Sequence, residues 1–215
     1  MTATAPRPAL RGWSHAAVIA PVVAGWALLM VHARDDTLKL ATVAVYGATL
    51  TLLFSVSALY HCRTWNASAR SLLRRIDHAD ISLLIAATYT PVVGVLLGGA
   101  ARILLLAGVW SAALLGAALS LFDVHLRRSL LVALYIATGW IALLALPALY
   151  QRIGAGGVAV LVCGGLLYSA GAVLYAVQRP KLWPRVFGYH EVFHLLVIAA
   201  TAVFFGFIAA EVVPG

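Results

Sequence analysis

His190 and His194 stand four residues apart in the string His190-Glu191-Val192-Phe193-His194. Side chains at i and i+4 share one helix face, so both imidazoles can reach one metal ion. The string also satisfies the His-Glu-x-x-His pattern of zinc proteases, where the glutamate is the general base. Yet Leu195 to Ala210, which follow, are almost wholly apolar. Ionisable groups at the edge of a membrane span are costly, and their presence points to function. The other ionisable residues near the ends of apolar runs are His15, His61, Asp77, His78, Asp80, Asp123, His125 and Glu191. Ser57 lies four residues before His61, on the same helix face, within reach of a ligand imidazole or a metal-activated water. Asp80 follows Asp77 by three residues and shares its face.

The elements that must position these residues are membrane helices. The chain has 215 residues, 63% of them hydrophobic and 10% charged, which excludes an ordinary soluble domain. A span needs about 20 apolar residues, so this length holds several spans and no separate soluble domain. Seven runs qualify: Trp13 to Val31, Leu38 to Tyr60, Ile81 to Leu97 with Asp77 in its entry turn, Ile103 to Phe122, Leu130 to Tyr150, Val158 to Val177, and Tyr189 to Ala210. In lipid each must be a helix to satisfy its own backbone. The expected fold is an all-α bundle of seven transmembrane helices over residues 13–212, preceded by a disordered cytoplasmic tail, residues 1–12, rather than a cleavable signal. Pro91 and Pro147 fall inside spans and predict kinks. Gly94, Gly98, Gly116, Gly164, Gly165 and Gly171 predict close helix approach. Cys62 and Cys163 suggest no disulfide framework.

Charge sets the orientation. Eleven of the fifteen Lys and Arg lie in the N-terminal tail and in the loops after the second, fourth and sixth runs. Positive-inside then places the N-terminus in the cytoplasm and the C-terminus outside, the reverse of a G-protein-coupled receptor. The net charge of +8 reports these loops facing anionic lipid, not nucleic acid. The chain is expected in the plasma (inner) membrane as a multi-pass protein. In this topology all the ionisable residues named above fall on the cytoplasmic side. His61 ends the second span, Asp77 opens the third, and His190 and His194 open the seventh. Three imidazoles and a carboxylate suit a tetrahedral zinc ion, as four direct ligands or as three with Asp77 holding a water.

The resemblance that these residues carry is specific. Ser57-Ala-Leu-Tyr-His61, Arg75-Ile76-Asp77-His78-Ala79-Asp80-Ile81-Ser82-Leu83-Leu84-Ile85, Ala87-Thr88-Tyr89-Thr90-Pro91 and His190-Glu191-Val192-Phe193-His194 resemble the hemolysin III family, the bacterial branch of the progestin and adiponectin receptor superfamily. It covers nearly the whole chain. The resemblance implies a zinc site with His61, His190 and His194 as direct ligands and Asp77 acting through a water. It also implies that no acid is needed at position 191, which leaves Glu191 free to pair with Arg185. Ser14-His15 resembles a family motif in the first span. Asp80 is read as a partner of Arg74 or Arg75 or as a residue behind the site. His78, His125 and Asp123 read as interfacial residues.

Four functions follow as alternatives. The first is a zinc-dependent hydrolase of a lipid amide or ester, with Zn2+ as cofactor and Asp77 and Ser57 as catalytic residues. Helices would hold the acyl chain and basic loops an anionic headgroup. The second is a non-catalytic regulator or receptor of membrane state in which zinc pins helices together. Membrane lysis, the activity in the family name, is read as indirect. A transporter finds no support, because no paired broken helices occur in matching halves.

Overall fold

The computed structural model describes residues 8–124, 126–183 and 185–214. His125 and the first seven residues of the expected tail lie outside these. The described residues form α1 (Trp13–His32), α2 (Thr37–Cys62), α3 (Ala67–Leu96), α4 (Gly99–Leu121), α5 (Arg128–Gly139), α6 (Leu146–Val177) and α7 (Tyr189–Phe207). A 3-10 segment, Ile141–Ala145, joins α5 to α6, and a π-helical turn, Ile208–Val212, extends α7. No named strand occurs among them; one isolated bridge pairs Trp183 with Phe187. Six stretches are long and apolar enough to cross a membrane, one of them the 50-residue Arg128–Val177.

That long stretch holds the expected boundary in a compressed form. A loop was expected between Tyr150 and Val158, but α6 keeps helical geometry on both sides of one residue, Gly154, at φ 63° and ψ −174°. Only glycine adopts this combination without strain. The run expected as one span from Leu130 to Tyr150 is instead interrupted at Trp140 and tightened into the 3-10 segment. Pro147 therefore sits in the first turn of α6, where its missing N–H has no intrahelical partner to lose, rather than kinking a span.

The third helix also begins earlier than its apolar run. The Asn66 side chain accepts from Ala69 N at 2.9 Å and starts α3 at Ala67. Polar residues 67–80 are helical too, so Asp77 stands ten residues inside the helix rather than in its entry turn. α3 is central, packed against α2 and α4, while α1 lies on α2 and α6 on α7. Small residues set these approaches: a Cβ at Gly116 would lie 2.5 Å from Ser82 Oγ of α3, and one at Gly164 would lie 2.6 Å from the Phe204 ring of α7. Gly98 is different, since it opens α4 and faces no neighbour.

Candidate metal centre

The centre lies at the bundle end where α1 and α7 begin and α2 finishes. His61 comes from the last turn of α2 and His190 and His194 from the first turns of α7. His61 Nε2 and His190 Nε2 stand 3.2 Å apart, and one ligand atom from each of His61, His190 and His194 lies within 4.8 Å of the others. Ligands of a tetrahedral zinc at 2.0–2.1 Å are separated by about 3.3–3.4 Å, so the spacing of the first pair suits a shared ion. His194 is 2% exposed, and its buried Nδ1 has no hydrogen-bond partner among the described residues. A buried polar atom left unpaired is costly, and a ligand relieves it. These three imidazoles can hold a metal ion.

The carboxylate is beside them. Asp77 Oδ2 lies 3.9 Å from His61 Nε2, and both side chains are largely buried, at 13% and 7% exposure. Ser57 does not bond a cluster imidazole; its Oγ lies 2.9 Å from Nδ1 of His15. His15, 2% exposed, stacks on His194 with ring centroids 3.8 Å apart and planes at 10°. A fourth imidazole thus backs the cluster from α1. Ser14-His15 was visible in the sequence, but nothing in its spacing indicated that α1 would lay its histidine on α7.

Glu191 turns away from this chemistry. Pairing with Arg185 was one of the alternatives for it. Instead its Oε1 accepts from Arg11 Nε at 3.0 Å and its Oε2 from the backbone N–H of Gly188 at 2.8 Å. It caps α7 and anchors the chain ahead of α1. Residues 8–12 are held there as well: Ala9 N donates to Arg185 O and Leu10 N to Val186 O. Gly12, at φ 84°, brings the backbone so close to α2 that a Cβ would lie 2.5 Å from His61 Cβ. Asp80 does not pair with Arg74 or Arg75 either. Both arginines bond Asp123, at 2.8 and 3.2 Å, so Asp123 is an ion-pair partner and not merely interfacial. Asp80 is 2% exposed and its Oδ2 is unpartnered among the described residues.

The cluster opens on a cavity of about 490 Å³ lined by Ser57, His61, Asp77, His78, His190 and His194, with Arg70, Arg74 and Arg128 among its other walls. A second cavity of about 150 Å³, lined mostly by apolar residues of α3, α5, the 3-10 junction, α6 and α7, shares Ile81, Tyr135 and Ala172 with the first.

An all-helical, multi-pass membrane protein with a buried histidine cluster is the class that this fold and site define. The haemolysin-III-related family model matches residues 3–205, and the chain belongs to that family. Hemolysin-3 of Bacillus cereus is 33% identical over 189 residues, covering 87% of this chain and 83% of that protein. The hemolysin-3 homolog of Bacillus subtilis (strain 168) is 32% identical over 166 residues, 77% and 75% of the two chains. The monocyte to macrophage differentiation factor of Homo sapiens is 28% identical over 199 residues, 89% and 78% of the two.

Proposed function

We propose that this chain is a seven-span hydrolase of the plasma membrane that cleaves an amide or ester bond of a membrane lipid, using a zinc ion held by His61, His190 and His194. In this reading Arg128–Val177 crosses twice and turns at Gly154. Each half is about 25 residues, or roughly 38 Å of helix, enough for a hydrocarbon core of about 30 Å. The distribution of arginines supports a cytoplasmic N-terminus and a histidine cluster on the same side.

One observation carries the reading: the cluster faces an open polar cavity that adjoins an apolar one. Structural zinc sites are closed by four protein ligands, whereas catalytic sites use three and keep a position open. When bound, zinc polarises a carbonyl and lowers the pKa of a water to about 7. Asp77, beside His61, is placed to orient the attacking water and take its proton on Oδ2. The Ser57 hydroxyl lines the same cavity and fixes the His15 ring behind His194. The adjoining apolar walls give an acyl chain a dry path.

The test is release of fatty acid from a panel of lipid amides and esters by the purified protein. Turnover should require zinc and be lost in His194→Ala. Equal turnover in that variant at matched purity overturns the proposal.

A second reading is favoured by the way the centre joins α1, α2 and α7 through the His15–His194 stack and the His61–His190 contact. In it zinc only clamps the bundle of a membrane-state regulator. Metal removal would then lower thermal stability in detergent, and no lipid would be turned over.

A further inference from the structure

The wall of the larger cavity changes character with depth. Arg70 and Arg74 of α3 and Arg128 at the start of α5 line its mouth. Arg74 is neutralised by Asp123. Neither Arg70 nor Arg128 has an ion pair with a carboxylate among the described residues. The Arg128 guanidinium lies 5.3 Å from the Tyr175 ring centroid, and that ring meets His190 edge-on at 5.7 Å. A single aromatic ring separates this cation from the histidine cluster.

α3 lays the same gradient along one face. Arg70, Arg74, Asp77 and Ile81 all line the cavity, at the four- and three-residue spacings that share a helix side. With a rise of 1.5 Å per residue, about 10 Å of axis separates Arg70 from Asp77 and about 6 Å separates Asp77 from Ile81. Ile81 also lines the apolar cavity. From the end of the bundle inward the face reads guanidinium, carboxylate, apolar wall.

Arginines at a membrane surface ordinarily meet the headgroup layer and report topology. Here two without carboxylate partners line a cavity that ends at a candidate reaction centre. The planar fork of guanidinium donors matches phosphate oxygens, with charge-assisted bonds stronger than neutral ones. We propose that this cavity binds a phosphate-bearing amphiphile, its phosphate held by Arg70 and Arg128 and its chain directed past Asp77 toward Ile81. The position of a scissile bond at Asp77 rests on the hydrolase reading; the phosphate site does not.

Calorimetric titration of the purified full-length protein in neutral detergent tests it, with octyl phosphate, octanol and inorganic phosphate as probes. The native protein should bind octyl phosphate roughly a hundredfold more tightly than octanol and at least tenfold more tightly than inorganic phosphate. Each guanidinium contributes about tenfold, so Arg70→Gln/Arg128→Gln should lose roughly a hundredfold for octyl phosphate while octanol binding stays unchanged, which also reports an intact fold. His194→Ala should keep the phosphate preference. Equal binding of octyl phosphate and octanol by the native protein overturns the proposal, and that comparison needs no variant. So does a preference that survives in the arginine variant or disappears in His194→Ala, since either places the phosphate on the metal. Inorganic phosphate binding as tightly as octyl phosphate assigns the site to the free ion and overturns the amphiphile. Phosphate preference without lipid turnover would reject hydrolysis and leave this site standing.

Discussion

The two ends of the bundle handle buried polarity differently. At the end remote from the cluster, Asp36 caps α2 by accepting from Leu38 N and Lys39 N, and the buried Lys39 ammonium donates to Val213 O at 3.0 Å. At the cluster end, buried Ser14 Oγ, His15 Nε2, Arg75 Nε, Asp80 Oδ2 and His194 Nδ1 have no hydrogen-bond partner among the described residues. Proteins ordinarily satisfy such groups. Trp26 Nε1, Tyr46 OH and Ser82 Oγ, farther along the bundle, are unpaired as well, but the unpaired ionisable groups gather around the histidine cluster.

Removing a histidine breaks this contrast most strongly. His194→Ala or His61→Ala should reduce bound metal in purified protein from about one equivalent to a small fraction, a loss of affinity of at least 100-fold, since even residues that only orient ligands contribute 10- to 100-fold. Elemental analysis reads it, and full metal retention in both variants would remove the centre. Asp77→Asn should keep the metal and lower turnover by about 10²- to 10⁴-fold, the usual range for a general base. Near-normal turnover would leave the carboxylate with a structural role only. Next is Gly12→Ala, which sets a Cβ against His61 at a positive φ. We expect a loss of about 1–3 kcal/mol in detergent stability, together with weakened metal binding, because the strained residue abuts a ligand.

Lys39→Met sharpens the comparison from the other side. It should shift stability by about 1–2 kcal/mol and leave metal content untouched, checked by thermal unfolding and elemental analysis on one preparation. Glu191→Gln should have the smallest effect on chemistry. It retains one acceptor for the Gly188 N–H, loses the charge opposite Arg11, and should turn over lipid within a few-fold of the native protein. Abolished turnover with metal retained would restore the protease-like role of Glu191.

The histidine pair was legible because four-residue spacing fixes a shared helix face whatever the surrounding fold. His61 and Asp77 were legible through a resemblance and through apolar runs that brought their ends to one depth. Spacing could not reveal the stacking of His15 on His194, which depends on how α1 crosses α7. Nor could it reveal the pairing of Glu191 with Arg11, 180 residues away, so a nearer arginine looked the better partner. The break at Gly154 falls in the gap expected between Tyr150 and Val158, but the 3-10 segment at Ile141–Ala145 was hidden for a different reason. Uniformly apolar sequence has no period from which an interruption can be read, and in lipid the local propensities that would mark a loop are weak beside backbone satisfaction.

The sequence separation of 129 between His61 and His190 also has a meaning in time. A ribosome adding about 5–20 residues per second delivers the second imidazole roughly 6 to 26 seconds after the first. During that interval the nascent chain holds His61 and Asp77 without the α7 residues that complete the cluster, and Arg11 waits longer still for Glu191. The histidine cluster is therefore complete only once α7 has been made, and a chain that stalls before α7 has no such cluster.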